Sequence, residues 1–260
     1  MNNLFNLDGK VAVVTGGAGL LGKAFARALA ASGATVFIAE LNRKAGQSVS
    51  EELRKENLDV RDVHLDISHV TSIQRCIHQI EKETDAIDIW INNAYPRTKD
   101  WHLDFENIPT SSWRKNVDQH LNGYCFCCQQ VAERMKKRRK GSIINLASTY
   151  GICGPRFSIY NGTAMTMPAA YAAIKGGILN FTRYLASYYG RYGIRANSIS
   201  PGGIFNGQPA RFVKRYSKNT PLGRMARPDD IAGAAVYLAS DAASYVTGHN
   251  LVVDGGWTSV

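Results

Sequence analysis

The sequence predicts an α/β protein, a doubly wound parallel sheet of about seven strands in a single domain. Three observations carry that reading. Short apolar runs alternate with longer amphipathic segments from end to end, the pattern of strands joined by crossover helices and covered on both faces. A glycine-rich turn, Thr15-Gly-Gly-Ala-Gly-Leu-Leu-Gly22, joins the first apolar run to the first amphipathic segment. The 260 residues suffice for one sizeable core, and no repeat, low-complexity tract or linker divides them.

In order, Lys10-Val-Ala-Val-Val-Thr15 reads as a buried strand and residues 16–22 as a turn. A helix over 20–32 stops at Gly33. Thr35-Val-Phe-Ile-Ala-Glu40 is the second strand. A helix over 43–56, a strand over 60–66, a helix over 70–84 and a strand over 87–92 follow. Residues 94–109 form a polar and aromatic loop before one long helix over 111–137. A strand over 142–147 leads into an irregular stretch to residue 167, then a helix over 168–190 and a strand over 195–200. A loop with short helices spans 203–228, and a helix over 229–240 and a strand over 251–254 complete the pattern. Such sheets bind ligands beyond the C-terminal strand ends, where the strand order reverses. The loops at 94–109, 149–167 and 203–228 are therefore the expected substrate loops.

Composition excludes several classes. The hydrophobic share of 45% is ordinary for a globular chain. No apolar run approaches the ~18 residues of a membrane span. The N-terminus lacks the basic-then-apolar order of a signal peptide, so a cytoplasmic protein with no membrane partner is expected. The formal charge is +10, part of it in the run Arg134-Met-Lys-Lys-Arg-Arg-Lys140. That run reads as the exposed end of a helix, where cations suit the dipole. A nucleic-acid reading lacks a zinc-finger spacing or RNA-recognition signature beside it, so no nucleic-acid partner is expected. Of five cysteines, three crowd Tyr124-Cys-Phe-Cys-Cys128. Their spacing is not that of a zinc site, so no metal is expected and packing on a buried helix is the simpler reading. Arg97, Lys99, Arg156, Arg211, Lys214 and Arg215 fall near the expected site and point to an anionic small-molecule substrate.

The glycine turn carries the first chemistry. Gly16, Gly17, Gly19, Leu20, Leu21 and Gly22 sit between a strand and a helix, where missing side chains let the backbone approach a pyrophosphate. Glu40 ends the second strand, where an acid can bond ribose hydroxyls and repel a 2′-phosphate. NAD is therefore favoured over NADP, with Arg43 close enough to receive a phosphate. Leu41 follows Glu40. Asp66, with Ile67 beside it, either meets the adenine amine or caps the next helix. Asn92, Asn93 and Ala94 end the fourth strand, where amides can tie strands together. Asp254-Gly-Gly256 reads as a turn.

Tyr171-Ala-Ala-Ile-Lys175 carries the second. Residues four apart share a helix face, so Tyr171 and Lys175 project together. A phenol titrates near 10, and a cation held close favours its ionised form. Beside a dinucleotide, that pair can move a proton while the cofactor moves a hydride.

Taken together, these pieces resemble the short-chain dehydrogenase/reductase family along nearly the full length. The matching motifs are the glycine turn, Asp66, Asn92-Asn-Ala94, Ser142-Ile-Ile-Asn-Leu-Ala-Ser148 and Tyr171-Ala-Ala-Ile-Lys175. Ile194-Arg-Ala-Asn197, Pro201-Gly202, Gly223-Arg224, Pro228-Asp-Asp-Ile-Ala232, Thr247-Gly248 and Asp254-Gly-Gly256 follow in the family's order. Asn92-Asn-Ala-Tyr-Pro-Arg-Thr98, Ser158-Ile-Tyr-Asn-Gly-Thr163 and Met165-Thr-Met-Pro-Ala-Ala-Tyr171 look like the flagellin modification protein A group, associated with bacterial surface sugars including nonulosonate (legionaminic-type) sugars. The resemblance implies one Rossmann-type NAD(P)-binding domain over 1–260. It implies an enzyme moving a hydride between nicotinamide and a hydroxyl or keto carbon of a sugar or activated sugar. It assigns catalysis to Ser148, Tyr171, Lys175 and His120. It adds Asn93, Ala94, Tyr95, Pro201, Gly202, Gly203 and Ile204 to the cofactor site, with Tyr171 and Lys175 also touching it.

The chain departs from the family's usual pattern in several places. The glycine spacing is that of longer sugar-nucleotide epimerases, which keeps a cofactor-retaining epimerase as an alternative; a non-catalytic nucleotide-sensing protein on the same fold is another, since fold does not fix function and the basic run after Arg134 suits it. Tyr95 stands where glycine is usual. His120 stands where an asparagine holds a water of the proton relay; it either returns the proton to solvent or packs inside the helix. Ser148 and Tyr171 are 23 apart, roughly ten more than usual, which implies an extra substrate-facing loop over 156–167. Asn206 replaces a threonine near the nicotinamide amide. In the family's manner, the helices over 111–137 and 168–190 would pack a homodimer or homotetramer through faces including Cys125, Cys128, Phe181 and Tyr188.

Overall fold

The computed structural model describes residues 3–260. Seven parallel strands form one sheet in the order β3-β2-β1-β4-β5-β6-β7. They are β1 Val11–Thr15, β2 Thr35–Glu40, β3 Val60–His64, β4 Ile89–Asn92, β5 Gly141–Leu146, β6 Ile194–Pro201 and β7 Asn250–Val253. Among the described residues, eight α-helices accompany them: α1 Leu20–Ala31, α2 Arg43–Arg54, α3 Val70–Thr84, α4 Thr110–Val117, α5 Gly123–Arg138, α6 Ala169–Tyr189, α7 Ala210–Lys218 and α8 Pro228–Ala239.

Strand residues alternate between two cores. Val13 and Phe37 face α3, α5 and α6, while Ala12, Val14, Val36 and Ile38 face α1, α2 and α8. Both sets are buried, which explains why the strands read as continuous apolar runs. A fully buried aliphatic side chain of this kind is worth about 1.5–3 kcal/mol over an exposed one. The order runs outward from β1 toward β3 and from β4 toward β7, so the reversal lies between β1 and β4. Their C-terminal ends carry the glycine turn and Asn92-Asn93.

Several strand bounds shift by one or two residues, and one helix is divided. The third strand ends at His64 rather than 66. The single helix expected over 111–137 is interrupted by a π-helical turn, Asp118–Asn122, between α4 and α5. Gly123 follows the turn at a tight contact. A β-carbon there would lie 2.9 Å from the Ile67 side chain. The widened turn holds His120, and such turns recur at functional sites.

The basic run is the end of α5, as its composition implies. Arg138 reaches back to Asp88 at 2.5 Å and donates to the Ile87 carbonyl. Asp88 also accepts from the Val11 backbone. This arginine pins the helix end to the sheet. Cys127 and Cys128 are fully buried on α5, and burial pushes both thiols up. Cys128 accepts from the Asn92 amide at 3.2 Å inside the chain, so it does not lie on a face open to another subunit. Among the described residues, no cluster of three or more His, Cys, Asp or Glu could hold a metal, and no helix is long and apolar enough to cross a membrane.

Candidate active site

The glycine turn is built so that side chains cannot replace its hydrogens. A β-carbon on Gly22 would lie 2.3 Å from the Gly16 carbonyl and 2.7 Å from the Gly17 Cα. Gly16 has φ +61°, and a β-carbon there would lie 2.7 Å from the Ala94 Cα. The chain thus folds tightly under the start of α1. Gly19 is the N-cap, and no side chain caps the helix. Its first N–H groups are therefore available to an anion, reinforced by the helix dipole. Gly17 and Gly22 shape the turn from beneath, while Gly16, Gly19, Leu20 and Leu21 line a cavity of about 990 Å³.

The same cavity runs past Glu40, Leu41, Asp66, Ile67, Asn93, Ala94 and Tyr95, and then past Pro201, Gly202, Gly203 and Ile204. The Glu40 carboxylate accepts from the Ala18 and Asn42 backbones at 3.3 and 3.2 Å, which fixes it between the glycine turn and α2. Asp66 accepts from the Ser68 backbone and hydroxyl at 2.9 and 2.6 Å, so one of its oxygens organises the entry to α3. Asn93 donates to the Thr15 and Gly16 carbonyls at 3.0 Å each. Deeper, Asn92 donates to Asn145 at 2.8 Å, and Asn145 donates to Thr182 at 3.0 Å, tying β4, β5 and α6 together. The uncapped helix start, the side-chain-free cradle and the length of the cavity together fit a nicotinamide dinucleotide.

At the other end, Ser148, Tyr171 and Lys175 meet on the same cavity. Ser148 follows β5 and its Oγ accepts from the Tyr150 backbone at 3.1 Å, which leaves its own O–H to donate. Tyr171 and Lys175 lie one turn apart on α6. The Lys175 Nζ sits 5.6 Å from the Tyr171 ring centroid and donates to the Leu146 carbonyl at 2.6 Å. Burial pulls Lys175 down to about 7. Burial also pushes the Tyr171 phenol above its ordinary value, against a downward pull from the Ser148 hydroxyl. The net direction is opposite to the lowering expected from a neighbouring cation. The two effects share a cause: desolvation costs the phenolate its charge and leaves Lys175 only partly charged near neutrality.

Of the two places open to His120, the structure shows the packed one. It is fully buried and does not line the cavity. Its Nε2 lies 3.4 Å from the Lys175 Nζ, and burial together with Lys175 holds its pKa well below the usual imidazole range. A neutral, buried ring does not return a proton to solvent by titrating. It can accept a hydrogen bond from Lys175.

The substrate end is walled by aromatic residues. Tyr95 meets Tyr171 edge-on with ring centroids 5.6 Å apart, and Trp101 does so at 6.3 Å. Tyr150 and Tyr160 bring their hydroxyls to 3.3 Å. Phe212 packs on Tyr160, and Tyr216 stacks on Trp257 at 4.2 Å. Met165 and Met167 of the extra loop and Asn206 also line the cavity. Of these, sequence reasoning singled out only Tyr95 and Asn206 by position. Trp101, Tyr150, Tyr160 and Phe212 lie in the loops it marked, but only tertiary contacts select them. Of the six cations expected around the site, only Arg97 lines the cavity, with its guanidinium 5.2 Å from the Tyr95 ring centroid. Arg156 instead lies over Trp257 and donates to Asn219 at 2.9 Å. Arg215 donates to the Asn161 carbonyl, and Arg211 packs against Gly162. These three arginines fasten the extra loop to α7 and its surroundings.

Known proteins place this geometry. A family model described as enoyl-(acyl carrier protein) reductase, of the short-chain dehydrogenase type, matches residues 17–258. Post-translational flagellin modification protein A from Campylobacter coli is 31% identical, covering 96% of this chain and 99% of its own. D-threitol dehydrogenase from Mycolicibacterium smegmatis is 34% identical, covering 98% and 95%. The crystal structure of a gluconate 5-dehydrogenase from Burkholderia cenocepacia, in complex with NADP and tartrate, superposes with a TM-score of 0.88 at 31% identity, covering 99% of this chain and 98% of that one. With the family model spanning almost the whole sheet and its loops, the chain belongs to the short-chain dehydrogenase/reductase family and is an NAD(P)-dependent oxidoreductase.

Proposed function

We propose that this enzyme moves a hydride between NAD and a hydroxyl or keto carbon of an anionic sugar derivative, in the supply of bacterial surface sugars of the nonulosonate kind. The observation that carries the reading is the meeting of Ser148, Tyr171 and Lys175 at the aromatic end of the cavity whose other end is the glycine cradle. When bound, NAD supplies the hydride acceptor. In oxidation, Ser148 donates a hydrogen bond to the substrate oxygen and holds the carbinol carbon in place. Tyr171 takes the hydroxyl proton. Lys175 orients against the Leu146 carbonyl and stabilises the developing phenolate to the extent that it is charged. Reduction reverses each step, with the Tyr171 phenol as the acid.

The preference for NAD rests on Glu40, whose fixed carboxylate lines the cavity where a 2′-phosphate would have to stand, while Arg43 does not line it. The gluconate 5-dehydrogenase neighbour is complexed with NADP, so the two cofactors must be compared directly. The anionic substrate rests on Arg97, which forms no salt bridge among the described residues. The surface-sugar setting rests on the Campylobacter relative. Five free cysteines suit a reducing compartment such as the cytosol. For assembly, the proposed subunit face is the ladder Phe181, Tyr184 and Tyr188 on α6, stacked at 6.5 and 5.9 Å.

The test is turnover with NAD and NADP across a panel of carboxylated, phosphorylated, nucleotide-linked and neutral sugars and polyols. The reading expects reduced NAD to accumulate with a carboxylated or phosphorylated sugar. Conversion of a sugar to its epimer with no net change in cofactor would replace it with an epimerase.

A further inference from the structure

Two polar atoms behind the catalytic lysine are buried without a partner among the described residues: Nδ1 of His120 and the hydroxyl of Tyr124. Both residues are fully buried, and their rings lie edge-to-face with centroids 5.1 Å apart. Neither atom reaches the other within hydrogen-bond distance. Buried polar groups are almost always satisfied, by protein or by an internal water. The two orphans belong to residues four apart whose rings touch, and each needs a partner that a water can supply. On its other side, His120 presents Nε2 to the Lys175 Nζ at 3.4 Å, and that same Nζ lies 5.6 Å from the Tyr124 ring centroid.

We propose that Tyr124 is a positioning residue for the reaction: its hydroxyl and the His120 Nδ1–H hold one buried water, which fixes the imidazole tautomer whose Nε2 lone pair accepts from Lys175. An ammonium Nζ only donates, so Nε2 accepts from it and Nδ1 carries the hydrogen; the bridging water accepts that hydrogen, which is otherwise buried and unpaired. A neutral imidazole carries one N–H and one lone pair, so a hydrogen bond made at one nitrogen decides what the other can do. With the proton on Nδ1, Nε2 favours the ammonium form of Lys175. With the proton on Nε2, two donors would confront one another and Lys175 would lose its proton more readily. The titratable groups packed around the pair are Lys175 and Tyr171 from α6, Tyr95 from the loop after β4, and Cys127 and Cys128 from α5. None is a carboxylate, so no anion competes for the imidazole proton. The device depends on the π-helical turn, which carries His120, and on Tyr124 in the first turn of α5.

This inference rests on the reading that Lys175 serves hydride transfer, but its first readout does not require turnover. In protein labelled with ¹⁵N-histidine, the His120 resonances, assigned by their loss in His120→Asn, are expected to report the Nδ1–H tautomer. Tyr124→Phe removes one oxygen and keeps the ring. It is expected to give a mixed or reversed tautomer, to lower kcat by about tenfold, the factor one hydrogen bond supplies, and to move the alkaline limb of the kcat profile to lower pH. The KM values for cofactor and substrate are expected to hold. In a His120→Asn background, Tyr124→Phe is expected to add nothing further. An unchanged tautomer in Tyr124→Phe overturns the proposal, whatever happens to kcat. An equal kcat loss at every pH, or a full additional loss in the His120→Asn background, overturns it as well. If no substrate supports turnover, the functional reading fails while the tautomer measurement still decides this one.

Discussion

The two ends of the cavity are built from different materials. The cofactor end is mostly backbone. Gly16, Gly22 and the uncapped start of α1 act by what they lack, and Asn93 and Thr15 lock the adjoining strand ends. The substrate end is mostly side chain. Tyr95 and Trp101 come from the 94–109 loop, Tyr150 and Tyr160 from the 149–167 loop and Phe212 from α7, and they meet only in the folded chain. Recognition of a common cofactor by backbone tolerates change elsewhere, whereas recognition of a substrate by loop side chains can be rewritten without touching the sheet. Damage to the two ends should therefore separate cleanly.

The largest effect is expected at the junction. Tyr171→Phe is expected to lower kcat by about 10²–10⁴-fold, the usual share of a general acid or base, with cofactor affinity nearly intact by titration. Wild-type turnover in that variant would break the assignment. Next comes Gly22→Ala. A β-carbon 2.3 Å from the Gly16 carbonyl must displace the cradle, so NAD(P) binding is expected to be lost. The overpacking is expected to cost about 1–3 kcal/mol of stability in thermal unfolding. Unaltered cofactor affinity would show that the cradle is not where the cofactor sits.

A pH profile sharpens the comparison further. Burial raises the Tyr171 phenol above its ordinary value, so it is protonated at neutral pH. Keto reduction, which uses the phenol as acid, is then expected to be independent of Tyr171 ionisation from neutrality to mildly alkaline pH. Oxidation uses the phenolate, and its kcat/KM is expected to climb with pH on the limb set by Tyr171 and to fall away where Lys175 loses its charge. A plateau in oxidation already at neutrality would show that Tyr171 is lowered instead. Glu40→Ser comes next, removing the fixed carboxylate. It is expected to improve NADP relative to NAD by about tenfold, the equivalent of 1.4 kcal/mol, with sugar KM unchanged. A change of the same size is expected from Arg97→Met. It removes the cavity's guanidinium and is expected to raise KM about tenfold for an anionic substrate, the worth of one charged hydrogen bond. A neutral polyol of the same length should be unaffected.

The sequence made the cofactor end legible because its signals are local. A strand, a glycine turn and a helix are consecutive, and the acid at Glu40 lies one unit further along. Tyr171 and Lys175 were likewise readable, being one helical turn apart. What stayed hidden depends on distant contacts. Cys128 shares a helix with residues that face outward, yet it points at Asn92 and is buried. Arg156, Arg211 and Arg215 carry the charge of substrate ligands, but their partners, Trp257, Asn219, Gly162 and the Asn161 carbonyl, lie far off in sequence. Composition does not distinguish a clamp from a binding residue. The π-helical turn at Asp118–Asn122 has no simple periodicity, so the burial of His120 behind Lys175 could not be read from the helix pattern.

The central claim is that hydride passes between substrate carbon and nicotinamide over the Ser148, Tyr171 and Lys175 cluster. The most direct measurement places deuterium on the carbinol carbon of an active substrate and follows it by mass spectrometry. The account predicts deuterium on the released, reduced cofactor with wild-type enzyme, and that transfer nearly lost in Tyr171→Phe. Deuterium retained in an epimerised product, with no labelled cofactor released, would contradict it.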